Sequence, residues 1–453
     1  MKRKHISFAL TLFIIMLPFV VNSQIGKRFP PERKLIKDPV TGTTLTFLTS
    51  TPSGDSKIYQ THSQWTADGE WLIFRSNRAR NEAIAVNEKN GDLVQVTEGG
   101  YNGMLCIGRK SMKLYFMRNL PKDTSQKRDI PVQILEVDLA NVFKDSKAGK
   151  MKTASAYQRV CGTVNGEIGA GSDMALDANE GLVYFRVGKT EAIKHLSPAT
   201  KIENTFGPRN MGAGPAGLMS MDIKTGELKY IVSVPFQIGH VQTNPWVSGE
   251  IVFCWETGGK SPQRTWIVQA DGSGLRPLYP EAEYEWVTHE AVITKDEVAI
   301  AIMGHRKIPG SIGEVAPGTT VSGANPGQEA AWGPSGTREK PTGLGIVNLR
   351  TREMVIIGQT TDGSGLWHVN GSPDGRWAVG DDFKRNIYLI DRKTHEMILL
   401  SAGHKETAAD HPHPTFSADS KKIEIQSAML SSDNRSMNIC IIPVPEEWLR
   451  RTY

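Results

Sequence analysis

The sequence predicts an all-β fold, a seven-bladed β-propeller spanning residues 24–453 as one domain and closed by an N-terminal strand in the last blade. Three features predict it. A polar turn followed by a β-rich apolar run occurs seven times, a second strand–turn–strand phrase follows most copies, and one unpaired copy of the second phrase stands near the N-terminus.

The first phrase occupies 65–74, 106–116, 174–185, 246–253, 293–300, 372–379 and 416–425. Each copy sets Asp, Gly, Asn or Ser between stretches of Val, Ile and aromatic residues, the signature of a hairpin. The second phrase occupies 83–93, 219–228, 266–275, 345–354 and 388–397. Two hairpins per repeat make a four-stranded unit, and units repeated in a ring make a propeller. The unpaired phrase at 38–48 supplies the outer edge of the seventh blade, joining the chain ends and removing a free sheet edge. Two β-sandwich domains are the rival arrangement. Long gaps between repeats mark insertions at 194–215 and at 306–342, the latter rich in Gly, Pro, Ser and Ala. Loops of that length are functional sites or solvated surface.

Residues 1–23 stand outside the fold. Lys2, Arg3 and Lys4 precede an apolar run from Ile6 to Val21, and Val21-Asn22-Ser23 fits a cleavage site, so residues 1–23 read as a signal peptide. The run is short for a membrane span and contains Pro18, and no Cys marks a lipoprotein. The expectation is an exported protein, periplasmic or extracellular, with no stable membrane anchor. Removing the three leader cations from 53 basic residues leaves 50 against 48 acidic ones, a balance that points away from nucleic acid. A monomer is expected. Cys106, Cys254 and Cys440 lie in apolar runs and read as buried thiols, and with Cys161 they form no CxxC pair.

Histidines carry the chemical signal. His411 and His413 are two apart in an extended stretch and so share a face. His240, His289 and His368 hold equivalent places in earlier repeats, at the entry of a first-phrase strand. Innermost strands line the channel of a propeller, so these side chains are expected at one rim. Imidazoles on one face ligate a metal or grip an anion. Three histidines with one oxygen suit Mn²⁺ or Zn²⁺, and Ca²⁺ only with more oxygens. Arg264 and Arg209 are candidates for holding a carboxylate, and Trp255 and Trp367 for stacking on sugar rings.

Gly239-His240, Ile251 to Glu256, Arg264 to Gly274, Thr288-His289-Glu290 and His411-Pro412-His413-Pro414 resemble the oligogalacturonate lyases, best over 236–300 and 366–425. The resemblance implies a uronate-containing glycan as partner and a divalent metal, Mn or Ca, as cofactor. It implies His240 as base and His289, His411 and His413 as metal ligands; Arg264, Arg209, His368, Trp367 and Gln60 are the candidate substrate-binding residues. A cation or a guanidinium neutralises the uronate carboxylate and acidifies C5–H, an imidazole or phenolate takes that proton, and the 4-linked sugar leaves by β-elimination. Two departures stand out. Ala408 replaces the family's Gln three residues before His411, and 214–219 lacks the family's Arg.

The N-terminal stretches 24–30, 38–42 and 55–62 look like secreted Bacteroidetes propellers acting on rhamnose-α-1,4-glucuronate of arabinogalactan. Both lyase and α-L-rhamnosidase activities are attributed to that group. In the hydrolase account a lone blade-one histidine on the opposite face does the chemistry. His62 or Gln60 holds that position, and a Gln there argues against hydrolysis. A non-catalytic glycan-binding propeller is the third expectation.

Overall fold

A computed structural model describes residues 24–120, 130–204, 211–257, 261–282, 285–305, 342–360 and 365–453. Its strands form seven antiparallel sheets, the seven blades of a β-propeller. From the axis outward, blade 1 is Asp55–Lys57, Trp71–Ser76, Glu82–Asn87 and Leu93–Gln95, with Arg28–Phe29 on its outer edge. Blade 4 is Ile238–Thr243, Glu250–Trp255, Thr265–Gln269 and Arg276–Pro277. Blade 5 is Glu285–Thr294, Glu297–His305, Gly343–Asn348 and Met354–Gly358. Blade 6 is His368–Gly371, Trp377–Asp381, Ile387–Asp391 and Met397–Ser401. Blades 2 and 3 begin at Asn102–Ile107 and Met174–Leu176.

Blade 7 closes the ring. Thr415–Phe416, Lys422–Ser427 and Asn438–Pro443 are joined by the N-terminal strands Thr44–Phe47 and Lys34–Lys37. Thr46 pairs with Ile441 and Phe47 with Cys440. The closure expected at 38–48 is therefore present, and the seven blades set aside the two-sandwich alternative.

The first phrases are the turns from innermost to second strand. In blade 6, Gly375 closes one by donating to Ser372 O at 2.9 Å with φ 76°, a backbone region costly for most other residues. The second phrases are the turns from third to fourth strand. Antiparallel pairing then fixes the two faces. Innermost strands start on the same face as the second-to-third connections and end on the face of the short first-phrase turns. Both long insertions connect second to third strands. Residues 205–210 and 306–341 within them lie outside the described residues, as do the leader and Arg209.

Apolar clusters fill the spaces between neighbouring blades. Leu45 and Phe47 share one with Trp377, Ile425 and Cys440. Cys106, Cys161, Cys254 and Cys440 are all free and buried. One element absent from the sequence reading is the helix Leu139–Ala148, capped by Asp138 and ended by left-handed Gly149. Its Phe143 stacks on Trp71 at 4.1 Å, covering the seam between blades 1 and 2. Among the described residues no helix is long and apolar enough to cross a membrane.

Candidate functional site

At the entry face of the innermost strands the backbone departs from regular pairing. The ladder of blade 4 shifts register between Gly239 and Gln242, and that of blade 5 between Thr288 and Glu290. Such bulges re-aim a side chain. His240 and His289 sit in them with φ of 50° and 28°, and His413, entering blade 7, has φ 51°. Left-handed backbone at three non-glycine residues is sparsely populated and is held by its surroundings.

The result is one continuous rim of imidazoles. Ring centroids are 5.8 Å apart for His240–His289, 4.2 Å for His289–His368, 5.1 Å for His368–His411 and 3.7 Å for His368–His413. Tyr59 stands in the middle, 5.0 Å from both His240 and His413. The sequence pattern identified the histidines but not Tyr59. Its strand, Asp55–Lys57, is short, and the chain then runs along the channel instead of pairing. The first phrase at Trp65 reaches Leu72 only as an isolated bridge.

Each rim histidine has Nδ1 set against an oxygen. For His240 it is Glu290 Oε1 at 2.8 Å, for His289 the Trp367 carbonyl at 2.7 Å, and for His368 Asp381 Oδ2 at 3.3 Å. His411 Nδ1 lies 2.9 Å from Asp381 Oδ2 and His413 Nδ1 2.8 Å from Gln60 Oε1. An acceptor at Nδ1 fixes the ring and the tautomer, and a neutral ring so held carries its lone pair on Nε2; His413, whose Nε2 also faces a carboxylate oxygen, Asp410 Oδ2, departs from this.

His240 is the most strongly organised. Glu290, fully buried, also accepts from Arg264 Nε at 3.3 Å, while Glu256 Oε2 lies 3.5 Å from His240 Nε2. Burial lowers the His240 pKa, but Glu290 and Glu256 outweigh it and the net direction is upward. Burial opposes the charge on Arg264, yet its neighbours Cys254, Glu290 and Glu256 hold the guanidinium protonated. Arg264 Nη1 is buried with no hydrogen-bond partner among the described residues. An unspent guanidinium donor beside a base is suited to an incoming carboxylate. Burial, with Glu290, raises the Tyr59 pKa well above the usual phenol value, so its hydroxyl keeps its proton. Burial depresses His289 and His368 well below the ordinary imidazole value, leaving both neutral.

The expected metal set fits less well. His411 Nε2 is in contact with Arg385 Nη1, and His413 Nε2 is 3.0 Å from Asp410 Oδ2. Both rings therefore spend both nitrogens on protein partners, and the Ala408 side chain offers no ligand atom. Ligand atoms gather within 4.8 Å of one another in two other groups, His240–Cys254–Glu256 and His368–Asp381–His411. Trp367 lies beside His289 at 4.4 Å and Phe383 at 5.2 Å, an aromatic wall next to His411.

His62 is on the opposite face. It lines a cavity of about 400 Å³ with Gln60, Arg109, Trp246 and Lys422, where the innermost strands end. Its Nε2 donates to Met174 O at 2.8 Å and its Nδ1 accepts from Thr61 Oγ1 at 2.7 Å. Burial lowers its pKa to about 4. Gln60 separates the two openings, lining the cavity while bonding His413. Sequence reasoning missed Glu290, Glu256, Asp381, Asp410 and Arg385 as site groups. Glu290 and Asp410, adjoining His289 and His411, and Glu256, closing the run 251–256, carried a local signal.

The chain matches no family profile and no curated protein sequence. Among solved structures it is similar to an oligogalacturonate lyase in complex with manganese, at 19 % identity and TM-score 0.66, over 94 % of this chain and 100 % of that one. It is similar as well to an oligogalacturonate lyase from Vibrio parahaemolyticus, at 20 % identity and TM-score 0.65, over 94 % of this chain and 100 % of that one. Likeness at such identities is likeness of fold.

Proposed function

We propose that this chain is a uronate-directed lyase that works by β-elimination at the histidine rim. One observation carries the reading: His240, braced by Glu290, sits beside a buried Arg264 with a donor still unused. In this reading the uronate carboxylate accepts from Arg264, which stabilises the charge that develops when C5 loses its proton. His240 Nε2 takes that proton, its Nδ1–H remaining on Glu290. The C5–H electrons form the C4=C5 double bond as the C4–O4 bond breaks. The departing O4 takes the Tyr59 hydroxyl proton, which solvent then replaces. The finer substrate we propose is rhamnose-α-1,4-glucuronate, on the N-terminal resemblance, encountered by an exported protein.

A second reading is favoured by the cavity around His62: hydrolysis of the same linkage on the opposite face. The engagement of both His62 nitrogens counts against it. The test is product analysis on rhamnosyl-glucuronate and oligogalacturonate. A lyase yields an ultraviolet-absorbing unsaturated uronate, lost in His240→Ala and kept in His62→Ala. Free rhamnose without an unsaturated partner, lost only in His62→Ala, would replace this reading with the hydrolase.

A further inference from the structure

Asp381 ends the second strand of blade 6 and is fully buried. It accepts from the His368 backbone N–H at 2.7 Å, and both His368 Nδ1 and His411 Nδ1 face its carboxylate. With Nδ1 of His411 turned to Asp381, its Nε2 is turned away from that carboxylate, and the Arg385 guanidinium meets it. Asp381, His411 and Arg385 thus form a chain in which a buried carboxylate is answered, through an imidazole, by a guanidinium.

The backbone places Arg385 for this. It occupies the turn between the second and third strands of blade 6, on the rim face. Its N–H donates to Asp382 O at 3.0 Å, and Asn386 N–H and Nδ2 donate to the two Asp382 oxygens at 2.9 Å each. Arg385 itself holds φ 66°, a conformation this turn imposes. Its Nε is buried with no hydrogen-bond partner among the described residues. Phe383, in the same turn, and Trp367 flank His411 with ring centroids 5.8 and 6.0 Å away. A cation with an unspent donor, in contact with an imidazole that two aromatic rings flank, is the chemistry that recognises an anionic sugar.

We propose that Arg385, positioned by Asp381 through His411, is a carboxylate-docking residue of the rim, and that uronate binding by this chain uses its guanidinium rather than a divalent metal. The proposal rests on the uronate reading above and adds the group that holds the sugar. It follows from three particulars: the Nε2 of His411 is occupied by Arg385, that of His413 by Asp410, and the Ala408 side chain has no oxygen to offer.

The experiment is calorimetric titration of the full folded chain with digalacturonate and with rhamnosyl-glucuronate. Each is run after EDTA and again with excess Mn²⁺, alongside elemental analysis of the purified protein. Equal affinity in both conditions and no stoichiometric metal are expected. Arg385→Ala should weaken binding about 10–100-fold, the scale of a lost charge-assisted hydrogen bond. Arg385→Lys, which keeps the charge and loses the fork, should fall between, with an unchanged melting temperature showing that both variants fold. A stoichiometric metal that leaves in His411→Ala, together with binding abolished by EDTA, overturns the proposal. So does Arg385→Ala binding as tightly as the parent; in both cases the lyase reading stands. If the parent binds neither sugar, the uronate reading fails and the docking role falls with it.

Discussion

His240 Nδ1 lies 2.8 Å from Glu290 Oε1, and the other oxygen of the same carboxylate takes Arg264 Nε at 3.3 Å. Glu290 therefore sets two things at once, the tautomer and basicity of the imidazole and the aim of the guanidinium.

The pH dependence follows from that pair. The His240 pKa is raised above its ordinary 6.5, and a base works only when unprotonated. Elimination should rise with pH through a limb above 6.5. Glu290→Gln keeps the shape and removes the charge, so the limb should move to lower pH while kcat falls. A limb that stays in place would show that another group is titrating.

Tyr59→Phe removes one hydroxyl from the centre of the rim. If that hydroxyl protonates the leaving oxygen, kcat should fall by about 10²–10⁴ with KM nearly unchanged. Steady-state kinetics on a substrate with a good leaving group provides the check, because the loss should shrink as the leaving group needs less help.

Ring closure is predicted to dominate stability. Phe47 is fully buried in the seventh blade beside Cys440 and Trp377. Phe47→Ala should cost about 3–5 kcal/mol by leaving a cavity. Deleting residues 24–50 should destabilise the whole fold, since it strips the two outer strands of blade 7 and exposes Asn438–Pro443 as an edge. Denaturant melts measure both, and a deletion that melts like the parent would separate closure from stability.

Acid should unfold the protein through histidines that lie away from the rim. His404 is buried between Ser401 Oγ and Ser427 Oγ, at 2.9 and 2.8 Å, and burial lowers its pKa from 6.5 to about 4. The unfolded chain binds that proton between those values and the folded one does not, so stability rises with pH across the window and falls as pH drops through it. His62 adds the same slope, its pKa likewise lowered to about 4. His404→Gln should flatten the melting temperature between about pH 6.5 and about pH 4. An unchanged slope would assign the acid transition to other groups.

The sequence alone determined the blades, because turn residues and alternating apolar runs are local, and seven copies of a local pattern leave few ways to bury their faces. It also determined the closing strand, since an unmatched half-repeat at one end answers a missing edge at the other. The rim histidines were legible for the same reason, each standing at one place in its repeat. What the tertiary structure decided is what touches them. Tyr59 reaches the centre only because its strand stops pairing after Lys57, a matter of how seven blades leave room at the axis. Arg385 meets His411, and Asp381 grips it, across a gap of more than twenty residues in a turn with no motif. The helix Leu139–Ala148 was legible only afterwards, as a stretch with Asp138 and Gly149 at its ends whose apolar side needed the seam between two blades before it had anything to cover.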